Sequence, residues 1–248
     1  MILRWLKSAP RKRPAVEPPA RRVYAIGDIH GRLDLLKTLN DQIIEDAQGR
    51  ASEIIFLGDY IDRGRDSAGV VEFLCAGGTA PGFDALFLKG NHEAALLDFL
   101  DDPELGPTWA RFGGLETLAS YGVKAPRTAE PTAWEATRAA FRAALPPPHL
   151  DFLRSLTLSA ERGGYFFAHA GADPGKPLDA QSETDLLWIR EAFLDSDTPF
   201  ERVVVHGHTP EDEPYADHRR IGLDTGAFAS GVLTAACIDE DGVRFLST

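Results

Sequence analysis

Five short apolar runs in this chain end in the same way. Val23-Tyr24-Ala25-Ile26 leads into Gly27-Asp28-Ile29-His30-Gly31, and Ile54-Ile55-Phe56-Leu57 into Gly58-Asp59-Tyr60-Ile61-Asp62-Arg63-Gly64. Ala85-Leu86-Phe87-Leu88 leads into Gly90-Asn91-His92-Glu93, Tyr165-Phe166-Phe167-Ala168 into His169-Ala170-Gly171, and Val203-Val204-Val205 into His206-Gly207-His208-Thr209. Short apolar runs bounded by glycine read as buried strands. Each one delivers a potential metal ligand at its carboxyl end. Leu33, Leu36, Leu39, Ile43 and Ile44 recur at helical spacing and predict a helix over residues 32–47; Val70, Val71, Phe73 and Leu74 predict another after Arg65, before Gly77-Gly78. Strand, ligand loop and helix in alternation predict neighbouring parallel strands with their loops gathered at the carboxyl ends.

From residue 94 to 158 the pattern turns helical, with helices expected over 94–100, 109–120 and 132–145 and a stop at Pro146-Pro147-Pro148. This block reads as a helical cap inserted between the strands. Short β runs follow at 165–169, 202–206, 220–224, 232–239 and 243–246, with a turn at Asp241-Gly242. The expected fold class is α/β in the sense of an α+β sandwich: two packed mixed sheets flanked by helices. The domain runs over 23–248, after a leader of 22 residues.

Charge separates that leader from the body. Residues 1–22 hold Arg4, Lys7, Arg11, Lys12, Arg13, Arg21 and Arg22 against Glu17 alone, a net +6, so the −12 of the whole chain leaves −18 on the rest. With Pro10, Pro14, Pro18 and Pro19, the leader reads as disordered; a membrane-touching tip at Trp5 and Leu6 is the sharper alternative. An acidic body argues against nucleic acid as a partner. It is compatible with a phosphate substrate, because bound dications reverse the sign locally. Cys75 and Cys237 are expected to be buried, unpaired thiols, which suits a reducing compartment. The chain has neither an apolar run of the ~20 residues a membrane span needs nor a signal-peptide core, so the expected location is the cytoplasm. The oligomeric state stays open.

The residues at the strand ends carry the chemistry: Asp28, His30, Asp59, Asn91, His92, His169, His206 and His208. Carboxylate, amide and imidazole without thiolate suit Mn, Fe or Zn.

The three blocks Gly27–Gly31, Gly58–Gly64 and Gly90–Glu93, with His169-Ala170-Gly171 and Gly207-His208-Thr209, resemble the signature blocks of the phosphoprotein phosphatase branch of the calcineurin-like metallophosphoesterases, bacterial type. The resemblance spans roughly residues 22 to 235. It implies two divalent ions, one held by Asp28, His30 and Asp59 and the other by Asp59, Asn91, His169 and His208, with Asp59 as the bridge and manganese as the expected metal. It further implies in-line attack on phosphorus by a water shared between the ions, with no phosphoenzyme. His92, oriented by Asp62, would be the general acid. Arg63 would hold the phosphate, joined by Arg190 in Leu186-Leu187-Trp188-Ile189-Arg190, which resembles a Trp-x-Arg element of bacterial members. His206 has no ligand role in the pattern and would support the site. Trp109-Ala110-Arg111-Phe112-Gly113-Gly114 resembles an element lining the cleft, and Gly222-Leu223-Asp224-Thr225-Gly226-Ala227 the turn after the last histidine block.

Two substrate readings follow. The first is a serine/threonine or dual-specificity protein phosphatase, acting on phosphorylated proteins or peptides and on small phosphoesters. The second is a symmetrical dinucleoside tetraphosphate hydrolase, whose pattern usually lacks the acid before Arg-Gly and ends the third block in Asp. Asp62 and Glu93 favour the phosphatase. A non-catalytic phosphoprotein-binding module is a third reading, but decay of the site should remove a ligand, and all six ligand positions are filled.

Overall fold

The computed structural model describes residues 16–78 and 82–248. Ten strands form two five-stranded mixed sheets. In the first, β1 (Arg22–Ile26), β2 (Ser52–Phe56) and β3 (Phe83–Phe87) are parallel, and β9 (Thr234–Asp239) and β10 (Gly242–Ser247) continue the sheet antiparallel, in the order β10-β9-β1-β2-β3. In the second, β5 (Tyr165–Ala168), β6 (Val203–His206) and β8 (Arg220–Gly222) are parallel between β4 (Ser159–Arg162) and β7 (Tyr215–Ala216), in the order β4-β5-β6-β8-β7. The Asp241-Gly242 turn joins β9 to β10 as expected.

Alternation of side chains along buried strands builds the layers. Val23, Ala25, Ile55 and Leu57 of the first sheet meet Tyr165, Phe167, Val203 and Val205 of the second in the central core. Their neighbours Tyr24, Ile26, Ile54 and Phe56 point the other way, into helices α1 (Leu33–Ala47) and α2 (Ser67–Cys75) and the helical segment. Phe166, Ala168 and Val204 pack outward on Leu178, Leu186 and Phe193. Because both faces of β1, β5 and β6 are covered, these strands read as near-continuous apolar runs.

Helix α1 spans nearly its expected range, and α2 opens on Asp66, whose carboxylate accepts the Gly69 N–H. A third helix, α3 (Asn91–Asp101), starts at the ligand loop itself. Three expectations need correction. The prolines end the helix Pro131–Ala144 but also start another, Pro147–Ser155, because proline lacks only an N–H that the first turn leaves unbonded anyway. Residues 109–120 are not one helix: Gly106–Trp109 and Leu115–Ser120 flank a π-turn at Ala110–Gly114, where Gly113 takes φ 115°. Cys75 is exposed, since it falls on the outer side of the last turn of α2; Cys237 is buried, and both are free thiols.

Within the basic leader, residues 16–22 lie on the body. Glu17 O accepts the Gly164 N–H at 2.8 Å, Pro19 is buried, and Arg22 opens β1 with its guanidinium on Asp239. The remainder, with Trp5 and Leu6, lies outside the described residues. No described helix is long and apolar enough to cross a membrane.

Candidate metal centre

Six loops converge at the carboxyl ends of parallel strands, three from each sheet. β1, β2 and β3 supply Asp28, Asp59 and Asn91; β5, β6 and β8 supply His169, His208 and Asp224. Asp224 escaped the ligand-type inventory, although the preceding Arg220-Ile221-Gly222 has the same build of strand, glycine and acid.

The backbone is bent to make these loops. Among described non-glycine residues with positive φ, all but Gln48 at the end of α1 belong here: His30 (45°), Asp59 (52°), Asp62 (71°), Arg63 (64°) and His208 (67°). Such conformations cost about 1–3 kcal/mol each and persist only where surroundings hold them. Asp59 O accepts the N–H groups of Ile29 and His30 at 3.0 and 2.8 Å. Glu93, fully buried, reaches back from α3 to accept the N–H groups of Asp59, Tyr60 and Gly90 at 2.8–2.9 Å. It therefore holds the loop from behind rather than facing substrate. Burial and the charge of Asp59 push its pKa up to about 8. A Cβ on Gly207 would overlap Asp28 Oδ1, and one on Gly90 would overlap Asp59 Oδ1, so both carboxylates sit against bare backbone.

Two ligand clusters share Asp59. His30, Asp59 and His92 form one, and Asp59, His169 and His208 the other, each with donor atoms within 4.8 Å of one another. Asp59 Oδ2 lies 3.5 Å from His30 Nε2, while Oδ1 lies 3.4 Å from His169 Nε2. Both imidazoles give Nδ1–H to main-chain carbonyls, His30 to Ile61 O at 2.8 Å and His169 to Leu57 O at 3.0 Å, leaving Nε2 available to a metal. Asn91 Oδ1 lies 2.8 Å from both His169 Nε2 and His208 Nδ1. Asp28 stands slightly aside: its oxygens accept the His208 N–H at 3.1 Å, and its carboxyl is hydrogen-bonded to Asp224.

This donor set fits divalent ions. Among the described residues the buried Nε2 of His30 has no hydrogen-bond partner, and His208 turns its Nδ1 toward Asn91 Oδ1. Burial, and then neighbouring positive groups, hold His30 and His169 well below the usual imidazole range, and burial with Arg190 pushes His208 down to about 3, which favours the neutral form that a metal can bind. Burial and then Asp224 and Asp59 raise Asp28; burial raises Asp59, and pushes Asp224 up to about 6. Buried carboxylates shifted this way are short of positive charge, which dications supply.

His92 behaves differently. Burial pulls its pKa down, but the charges of Asp59 and Asp62 more than reverse this, and it lies above the ordinary value. Its Nδ1 is 2.7 Å from Asp62 Oδ2, and its Nε2 turns toward the centre, 3.8 Å from Asp59 Oδ2. Asp62 is fully buried and also accepts Trp109 Nε1–H at 2.9 Å and the Thr117 hydroxyl at 2.6 Å, both from the helical segment. Gly113 O accepts the Arg63 N–H at 3.1 Å, and the Arg63 guanidinium lies over the Phe228 ring, 4.8 Å from its centroid. Half-buried Arg190 donates to Thr209 Oγ1 at 3.3 Å, beside the last histidine block. His206 does not join the ligands. Its Nδ1–H is given to Gly207 O at 3.0 Å and its Nε2 accepts from Arg220 at 3.2 Å.

Residues 21–231 match the family model described as calcineurin-like phosphoesterase. The chain is 28% identical over 232 residues to serine/threonine-protein phosphatase 2 of Salmonella typhimurium, covering 86% of this chain and 91% of that one. It is 27% identical over 242 residues to the asymmetrical bis(5'-nucleosyl)-tetraphosphatase PrpE of Geobacillus thermodenitrificans, covering 85% and 87%. Among solved structures it superposes on a cold-active protein tyrosine phosphatase with TM-score 0.57 at 18% identity, covering 91% and 78%, a likeness of fold.

Proposed function

Since the chain belongs to the calcineurin-like phosphoesterase family and is thus a metal-dependent phosphoric ester hydrolase, we propose that it is a serine/threonine protein phosphatase whose general acid is His92. The observation that carries this reading is the buried Asp62–His92 pair, with Nδ1 tied to Asp62 and Nε2 turned toward the centre. Asp28, His30 and Asp59 would hold one ion, and Asp59, Asn91, His169 and His208 the other. Bound there, two divalent ions supply a nucleophile from water near neutral pH and neutralise the phosphate. Manganese is the proposed metal; Fe and Zn accept the same ligands.

The protein's own part is proton delivery and orientation. Asp62 orients His92 and favours its protonated form, so its Nε2 can donate to the departing serine or threonine oxygen as the P–O bond breaks. Arg63 and Arg190 can each present a planar fork to equatorial phosphate oxygens. Arg63 is braced for this from below by Phe228 and from behind by Gly113 O. A phosphorylated protein in the cytoplasm is the proposed substrate.

The second reading, a dinucleoside tetraphosphatase, is favoured by relatives with that name, which are asymmetrical enzymes where the expected alternative was a symmetrical one. Glu93 carries little weight between the two, because it contacts loop backbone. Asp62 carries more, because an alkoxide leaving group needs its proton supplied. A competition on manganese-reconstituted protein tests the choice, comparing kcat/KM for a phosphoserine peptide and diadenosine tetraphosphate with Asp59→Asn as the blank. The peptide should win and the blank should be inactive. A dinucleotide preference of tenfold or more would overturn the substrate assignment and leave the metal assignment standing.

A further inference from the structure

A cavity of about 630 Å³ lies beside the metal centre, lined among others by Arg32, Lys37, Arg63, Arg65, Asp66 and Phe228. Phe228 forms the boundary. Its ring is 5.5 Å from that of His30 on one side and lies under the Arg63 guanidinium on the other. An anion held by Arg63 at the centre would therefore sit at the mouth of this groove.

The charges in the groove are unevenly spent. Arg32 is engaged by Asp34 through two hydrogen bonds and by Ala227 O at 2.7 Å. Asp66 is occupied in capping α2. Exposed Lys37 and Arg65 have no ion pair or hydrogen bond among the described residues. Like charges gathered in one concavity repel, and here they also surround the positive end of α1, so they oppose folding rather than aid it. In a chain of net charge −12 such a cluster is a local reversal of sign, and it would concentrate anions at that spot.

We propose that this groove binds a second anionic group of the substrate, beyond the phosphate being cleaved, and selects phosphopeptides with acidic side chains next to the phosphorylated residue. The proposal rests on the phosphatase reading for its peptide, though the distal phosphates of a dinucleoside tetraphosphate offer the same chemistry. Phe228 separates the two anions, Arg63 holds the first, and Lys37 with Arg65 takes the second.

The test uses the full chain with manganese and the double variant Lys37→Gln/Arg65→Gln. Two phosphoserine peptides that differ only in flanking Glu or Gln would be compared with diadenosine tetraphosphate, and with 4-nitrophenyl phosphate as a substrate that carries no second anion. Two solvent-exposed ion pairs, each worth up to about fivefold, predict a preference of roughly tenfold for the acidic peptide, expressed in KM. In the double variant that preference should fall to within twofold while 4-nitrophenyl phosphate turnover is unchanged. Equal kcat/KM for the two peptides in the wild type, or a preference that survives in the variant, overturns the proposal. If only the dinucleotide loses affinity in the variant, the anion subsite stands and its assignment to acidic peptides falls. If nothing is turned over, the hydrolase reading fails separately, and fluorescence anisotropy with the acidic peptide decides the groove: weaker binding by the variant supports it, and equal binding refutes it.

Discussion

Replacing Asp62 by Asn should separate substrates by their leaving group. Asp62 receives three side-chain donors on two oxygens: Thr117 on Oδ1, and Trp109 with His92 on Oδ2. An Asn has one acceptor oxygen: with its oxygen toward Trp109 and His92 its NH2 faces the Thr117 hydroxyl, which can turn to accept, whereas the opposite flip sets an N–H against the Trp109 N–H. A buried donor left unsatisfied costs about 1–3 kcal/mol of stability. His92 loses more. Burial already pulls its pKa down, and with the Asp62 charge gone only Asp59, 3.8 Å from Nε2, would remain to oppose it, so the pKa should fall. General acid catalysis is worth about 10²–10⁴ in rate. A phosphoserine peptide, whose alkoxide needs a proton to leave, should lose that whole factor in kcat. 4-Nitrophenyl phosphate releases a stable anion and should lose less than about tenfold. The assay is kcat on both substrates from pH 5 to 9, with metal content measured alongside. The basic limb of the peptide profile should move to lower pH, because the depressed His92 gives up its proton earlier. Equal losses on the two substrates with metal content intact would refute the role of His92.

Gly113→Ala forces a side chain into φ 115° and puts its Cβ 2.6 Å from the Arg63 N; stability should fall by about 1–3 kcal/mol in urea unfolding and inorganic phosphate should inhibit more weakly. Manganese at about 100 times its Kd should stabilise the metal-free protein by about 2.7 kcal/mol, seen as a rise in Tm that EDTA reverses. Asp59→Asn should lose that rise yet unfold no more easily than wild type when both are metal-free, because it removes a buried carboxylate with a raised pKa. His206 is pushed down to about 4 by burial and then by Arg220, against 6.5 when unfolded. The unfolded chain therefore binds more protons between those values, and the contribution of His206 is fully present above pH 6.5 and lost as pH falls toward 4. In metal-free urea unfolding, His206→Gln should flatten that part of the pH profile. Arg190→Ala should raise KM and lower kcat for both ester types with metal content unchanged, whereas a surface charge would alter neither.

The strands, the loops at their ends and the residues that gather in the two clusters were legible in the sequence for a local reason. A buried parallel strand must be apolar on both faces, and the sharp turn after it favours glycine, so strand and ligand are adjacent in the chain. What acts across the fold was not legible. Asp62 draws donors from Trp109 and Thr117, 47 and 55 residues away. Those contacts exist only because the π-turn at Ala110–Gly114 lays the helical segment on the loop, and no periodicity records a π-turn. Asp224 is drawn to Asp28 by the meeting of the two sheets, and Cys75 was misplaced because apolar neighbours along the chain do not say which side of a last helical turn faces water. Sequence alone determined which groups could hold metal, since chemistry belongs to residues. Tertiary structure decided which of them share Asp59, which imidazole is paired with a second carboxylate and where unpaired cations gather, because charge and hydrogen bonding act through space rather than along the chain.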